Sequence, residues 1–219
     1  MSVSRSLTAT GPRLRKTASQ IFSSLQRLRQ IAIHPAMVDQ EDAPKDAKPP
    51  TSEKYEQVWE MLDDVLGSGQ KVLVFSQFVK LLTILRKDFD EKGIRYTYLD
   101  GSTKDRKAEV EAFQNNPDVQ VFLISLKAGG VGLNLTAAEY VFLLDPWWNP
   151  ATEQQALNRA HRIGQTKTVF AYKFITANSI EEKILELQQR KSELAEDVIQ
   201  TEQQFFKSLT VEDLRSLFE

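Results

Sequence analysis

From Lys71 onward five short apolar runs recur, at Val72 to Phe75, Tyr96 to Leu99, Val119 to Ser125, Tyr140 to Leu144 and Val169 to Phe174. Amphipathic stretches at 78–92, 104–115 and 151–162 stand between most of them. Strand-sized runs that are apolar throughout need cover on both faces, and intervening helices supply it. This part of the chain therefore reads as a parallel sheet with helices above and below, an α/β body. In such bodies ligands gather at the carboxyl ends of the strands. The segments that directly follow strands are Ser76-Gln77, Asp100-Gly101-Ser102-Thr103, Ser125 to Gly132 and Asp145 to Pro150. They are expected to share one rim.

The flanks differ from this body. Residues 20–33 place apolar groups at 21, 22, 25, 28 and 31 or 32, the spacing of an amphipathic helix, and His34-Pro35 ends it. Residues 1–38 carry six basic side chains and no acidic one, and 39–51 are acidic and proline-rich with no apolar period. A boundary is expected there. Ser52 is placed to cap a helix over 53–66 with Tyr55, Val58, Trp59 and Leu62 inward and Gly67 closing it. Ser179 is placed to cap a helix over 180–200 with Glu181 and Glu182 in its first turn, and a short amphipathic helix follows at 210–218. The expected organisation is a basic helical segment (1–38), a connector (39–51), the α/β body (52–178) and C-terminal helices (179–219).

Bulk properties narrow the chemistry. A length of 219 residues with 41% hydrophobic side chains is enough for a sizeable core. The absence of cysteine removes disulfides, thiolate metal sites and a cysteine nucleophile, and His34 and His161 are the only histidines, so no metal site is expected. No secretory leader and no apolar run near membrane-spanning length is evident, which points to a soluble, intracellular protein without a membrane partner. The net charge of −2 excludes little, because the charge is unevenly distributed and a local basic groove remains possible.

Three segments carry chemistry. Residues 154–165 read Gln-Gln-Ala-Leu-Asn-Arg-Ala-His-Arg-Ile-Gly-Gln, putting Arg159 and Arg162 three apart on one helix face. Two guanidiniums aimed together suit a polyphosphate, while the plainer alternative is a solvated face paired with carboxylates. Ser125 to Asn134 is a glycine-rich loop after a buried strand, where backbone N–H groups can approach an anion and Lys127 adds charge. It lacks the Gly-Lys-Ser/Thr of a phosphate loop and the third glycine of a dinucleotide fingerprint, which argues against a Rossmann oxidoreductase. Asp145-Pro146-Trp147-Trp148-Asn149-Pro150 places two adjacent indoles that cannot point the same way, so one is expected to be buried and the other shown at the rim.

These segments, taken in order with Leu28-Arg29-Gln30 and His34-Pro35, resemble the C-terminal RecA-like lobe of the Swi/Snf-type DNA translocases of helicase superfamily two. The resemblance implies a three-layer sandwich with a mainly parallel sheet and flanking helices at both ends. It implies that Arg159 and Arg162 act as arginine fingers on ATP held by another lobe, and that Gly130, Gly132, Asn134 and Gln155 lie near the nucleotide. It places Ser76, Gln77, Gly101, Ser102, Ser125, Lys127 and Trp148 towards DNA. The implied partners are double-stranded DNA, the first RecA-like lobe and a DNA-bound protein target, with ATP and Mg2+ bound mainly by that first lobe. The fragment itself is expected to be monomeric, DNA-associated in the cell and unable to hydrolyse ATP alone, since no phosphate loop or Asp-Glu box occurs in it. The alternative is a non-catalytic DNA- or protein-interaction module derived from such a lobe.

Overall fold

The computed structural model describes residues 12–38, 52–126, 128, 133–147, 150–160, 167–194 and 209–218. They fall into two compact units, one of Thr51–Asp145 and Thr152–Phe174, the other of Met1–Pro50, Pro146–Ala151 and Ile175–Glu219.

The first unit is built on five parallel strands, β1 (Val72–Ser76), β2 (Tyr96–Leu99), β3 (Val121–Ser125), β4 (Tyr140–Leu143) and β5 (Phe170–Lys173), in the spatial order β2-β3-β1-β4-β5. This is the RecA-like C-terminal-lobe architecture expected from the sequence. Every residue of β1 and β3 is buried, as apolar runs covered on both faces must be. The two edge strands depart from that pattern. β2 alternates half-buried and buried residues, and all four residues of β5 are exposed, because each edge strand has a sheet neighbour on one side only. On β5, Phe170 and Tyr172 stack against Tyr140 of β4 with centroids 5.4 and 6.2 Å away.

Helix α2 (Glu53–Gly67) starts where Ser52 Oγ accepts from the Tyr55 amide at 3.2 Å, with Glu53 and Glu56 in the first turn. It buries Val58, Leu62 and Val65. Gly67 stays helical, and the stop lies at Ser68 and at Gly69, whose φ is +71°. Trp59 is half-buried, edge-on to Phe89 at 5.1 Å with the Lys92 ammonium 3.8 Å from its centroid. Helix α3 (Val79–Lys92) ends at Gly93 in the left-handed region. Helix α4 (Arg106–Asn115) starts where Asp105 accepts from the Ala108 amide at 2.9 Å, and α5 is Pro150–Ala160.

The second unit contains α1 (Pro12–Ile33), a 3-10 turn (Pro35–Met37), α6 (Ile180–Leu194) and α7 (Val211–Phe218), with α6 packed on both α1 and α7. The expected apolar stripe of α1 is rotated. Leu25, Arg29 and Ile33 form its buried row, while Phe22, Leu28 and Ile31 are exposed. An arginine thus stands on the inward face at i+4 spacing from leucine and isoleucine. His34 caps the turn, its Nδ1 accepting from the Ala36 amide at 3.1 Å. Ser179 begins α6 as expected, its Oγ accepting from the Glu181 amide at 3.1 Å, and Glu182 accepts from the Asn178 amide at 2.8 Å. Thr210 and Asp213 cap α7 reciprocally, at 3.1 and 2.8 Å.

Candidate functional site

The chain runs from β1 to β2 and β3 on one side of the sheet, then crosses to β4 and β5 on the other. The ends of β1 and β4 therefore border the switch point, where such sheets open a crevice. Asp145, 1% exposed, sits directly beyond β4 and spans it. Its carboxylate accepts from Ser76 Oγ at 2.6 Å, from the Gln77 backbone amide at 3.3 Å and from the Gln77 side-chain amide. Ser76 Oγ in turn accepts from the Phe78 amide at 3.0 Å, which satisfies the start of α3. The Leu144 amide donates to the Phe75 carbonyl at 3.0 Å, and the Leu126 amide to the Ser76 carbonyl at 2.9 Å. The carboxyl ends of β1, β3 and β4 are thus laced into one rim.

This geometry alters the expected role of two serines. Ser76 and Ser125 are 0 and 2% exposed, so neither offers its hydroxyl outward, and Ser76 Oγ holds the rim from inside. Gln77 is half-buried, whereas Gly101 and Ser102 are exposed at the end of β2. There Asp100 Oδ1 accepts from the Ser102 amide at 2.8 Å and its hydroxyl at 2.6 Å, while Oδ2 accepts from the Tyr98 hydroxyl at 2.8 Å. The Ser102 hydroxyl is the main reason the Asp100 carboxyl is held below its ordinary range. Burial first, and then the bond to Asp100, push Tyr98 up to about 12. The Arg86 guanidinium lies 4.3 Å from the Tyr98 ring centroid, so this turn is rigid and backed by a cation.

At the start of the glycine-rich loop, the Ala128 amide donates to the Ser125 carbonyl at 2.9 Å, and Arg106 donates to the Ala128 carbonyl at 3.1 Å. Asn134 and Gln155 are exposed. Arg159 lies in the last turn of α5, where its carbonyl accepts from the Leu135 amide at 3.1 Å. Its guanidinium is not at the surface expected of it. The residue is 8% exposed, and the guanidinium carbon lies 5.7 Å from the Phe75 ring centroid. Helix α5 is described to Ala160, so Arg162 is not shown sharing its face. Arg162, Lys127, Gly130, Gly132 and Trp148 lie outside the described residues. Of the paired indoles, Trp147 is described and is buried, 6% exposed.

Asp145 headed one of the expected rim segments but was not legible as a site residue, and neither was Arg106. An acidic residue closing an apolar strand was the one available sign of the first, and nothing local marked the second. Among the described residues no cluster of three or more His, Asp or Glu side chains could hold a metal ion, and no helix is long and apolar enough to cross a membrane.

Comparison with known proteins adds to this geometry. The family model for the helicase conserved C-terminal domain matches residues 53–164. An uncharacterized ATP-dependent helicase of Mycoplasma pneumoniae is 45% identical over 170 residues, 77% of this chain and 16% of that protein. The DNA repair protein RAD5B of Arabidopsis thaliana is 43% identical over 154 residues, 69% of this chain and 12% of that protein. Among solved structures, the Sulfolobus solfataricus SWI2/SNF2 ATPase C-terminal domain superposes with a TM-score of 0.71 at 32% identity, covering 96% of this chain and 84% of that one. The core of the same ATPase in complex with dsDNA superposes at 0.72 with 33% identity, covering 96% and 43%. The chain spans under a fifth of the length of curated relatives it matches, at 16, 19 and 15% for three of them.

Proposed function

The chain belongs to the family of helicase conserved C-terminal domains, in its Swi2/Snf2 form, and from that premise we propose that it is the second motor lobe of an ATP-dependent double-stranded DNA translocase or remodeller. The observation that supports this reading is the laced rim at the ends of β1, β3 and β4, where Ser76, Gln77, Leu126 and Asp145 are tied together. A rim fixed by Asp145 and Arg106 costs little reorganisation when a phosphate backbone docks on it. A likeness to an ATPase core solved with dsDNA supports duplex DNA as the partner. Relatives named ATP-dependent helicases support ATP as the fuel.

In this reading the first lobe would hold ATP and Mg2+, and the metal would supply charge neutralisation at the phosphates there. Gly130, Gly132, Asn134 and Gln155 lie near the nucleotide, Arg159 and Arg162 reach it when the lobes close, and Gln77, Gly101, Ser102, Lys127 and Trp148 face DNA. Arg159 must then leave its place over the Phe75 ring. A cation–π contact is worth about 1 kcal/mol. An arginine finger lowers the barrier by roughly 4–7 kcal/mol, several times the worth of that one contact.

The burial of Arg159 also favours a second reading, an interaction module that keeps the lobe without its fingers. One substitution separates the two. In the full-length protein Arg159→Ala is expected to lower DNA-stimulated ATP turnover by about a thousandfold, with urea unfolding close to wild type. Turnover unchanged by Arg159→Ala and by Arg162→Ala would favour the interaction module.

A further inference from the structure

The two edges of the five-stranded sheet are finished differently. On β2 the Tyr98 amide, with no strand on its outer side, donates to a Glu109 carboxylate oxygen at 3.0 Å, so α4 closes that edge with a side chain. β5 lacks such cover. The Phe170 amide donates to the Glu139 carbonyl at 2.8 Å and the Phe174 amide to the Leu143 carbonyl at 2.9 Å. Alternate residues thus face β4, and the backbone N–H and C=O groups of Ala171 and Lys173 point away from the sheet. Among the described residues no strand and no side chain pairs with those groups. Beside this open edge stand Phe170 and Tyr172, 46 and 38% exposed, on the face that carries Tyr140. Free charged side chains are the usual guard of an open edge. Here both flanking lysines are bound within their own chain, Lys167 to Glu139 and Lys173 to Glu153.

The sequence of this edge complements itself. Turned about a two-fold axis at Ala171, a second β5 runs antiparallel and brings the outward groups face to face. Ala171 then meets the partner's Ala171, Phe170 the partner's Tyr172, and Val169 the partner's Lys173. The exposed rings of one copy lie opposite those of the other, and no lysine faces a lysine. One step of register in one direction sets Lys167 against Lys173. One step in the other sets Phe170 against Phe174, which is already buried.

We infer that β5 is an association edge for a second copy of this chain, pairing antiparallel with itself so that the two sheets continue as one. The inference is independent of the motor-lobe reading and departs from the monomer expected of the sequence.

The test is sedimentation of the full-length protein, without ATP or DNA, over concentrations of roughly 1–100 μM. A short strand pair buries less than a standard interface, so the mass is expected to rise reversibly from one copy to two across that range. Ala171→Pro removes an outward donor and leaves the bonds to β4 in place. It is expected to weaken association by at least about tenfold at an unchanged thermal midpoint. Phe170→Glu and Tyr172→Lys are each expected to abolish self-association. Mixed in equal amounts they are expected to restore a two-copy species, because the introduced carboxylate faces the introduced ammonium. A wild-type protein that stays a single copy overturns the inference. So does a dimer that Ala171→Pro leaves intact, or a mixture that does not associate. Should Ala171→Pro fail to fold, the mixture decides.

Discussion

At the scale of single residues, Asp145 is the side chain on which the rim turns. It is buried, and its carboxylate answers three donors from Ser76 and Gln77. Removing it leaves those donors facing one another with no acceptor, each costing roughly 1–3 kcal/mol. Asp145→Ala is therefore expected to destabilise the protein by about 3 kcal/mol, read as a lower urea midpoint at unchanged slope. Ser76→Ala removes one of the three donors and is expected to cost about 1 kcal/mol. A cost for Asp145→Ala no larger than that for Ser76→Ala would mean that the carboxylate is better solvated than its burial indicates. Neither this hub nor the enclosure of Arg159 was legible in the chain, because the partners lie 68 or more positions away in sequence.

At the scale of elements, much more was legible, and for a local reason. Caps and stops involve residues within one turn of each other, so Ser52, Gly93 and Ser179 could be placed from spacing alone. Gly93 has φ +67° and ψ 23°, and a Cβ built there would meet nothing within 4 Å. Its substitution therefore tests backbone strain without packing. Gly93→Ala is expected to cost about 1 kcal/mol and Gly93→Asn less, since asparagine tolerates the left-handed region. Thermal unfolding of the two variants checks the order, and an alanine variant as stable as wild type would place the end of α3 elsewhere. The inward face of α1 shows where local reasoning stops. Apolar spacing pointed to 21, 22, 25, 28 and 31 or 32; Leu25 is buried as expected, but with Arg29 held inward by the Pro146 carbonyl, Phe22, Leu28 and Ile31 face solvent. The extent of the strands was legible for β1 and β3, which are apolar throughout, while the exposure of β5 depended on its place at the edge of the sheet.

At the scale of the whole molecule, the turn after β2 ties stability to pH at both extremes. Tyr98 ionises near 10 when unperturbed and is pushed up to about 12 in the fold. Its neutral form is favoured by folding, so its contribution is complete below pH 10 and is lost as pH rises from 10 towards 12. Asp100 has the opposite sign. Its carboxyl lies below the ordinary 3.8, so its contribution is present above that value and fades as pH falls beneath it. Urea midpoints measured at neutral and alkaline pH should converge for Tyr98→Phe relative to wild type, and an identical alkaline loss in both proteins would remove Tyr98 from the account.

The route of the chain has a consequence of its own. Pro146–Ala151 counts with the helical unit, yet the residues on both sides of it belong to the sheet unit. Six consecutive residues of one body are thus spliced into the middle of the other. No single cut can free the two bodies, and neither can be exchanged between proteins as an uninterrupted stretch of gene.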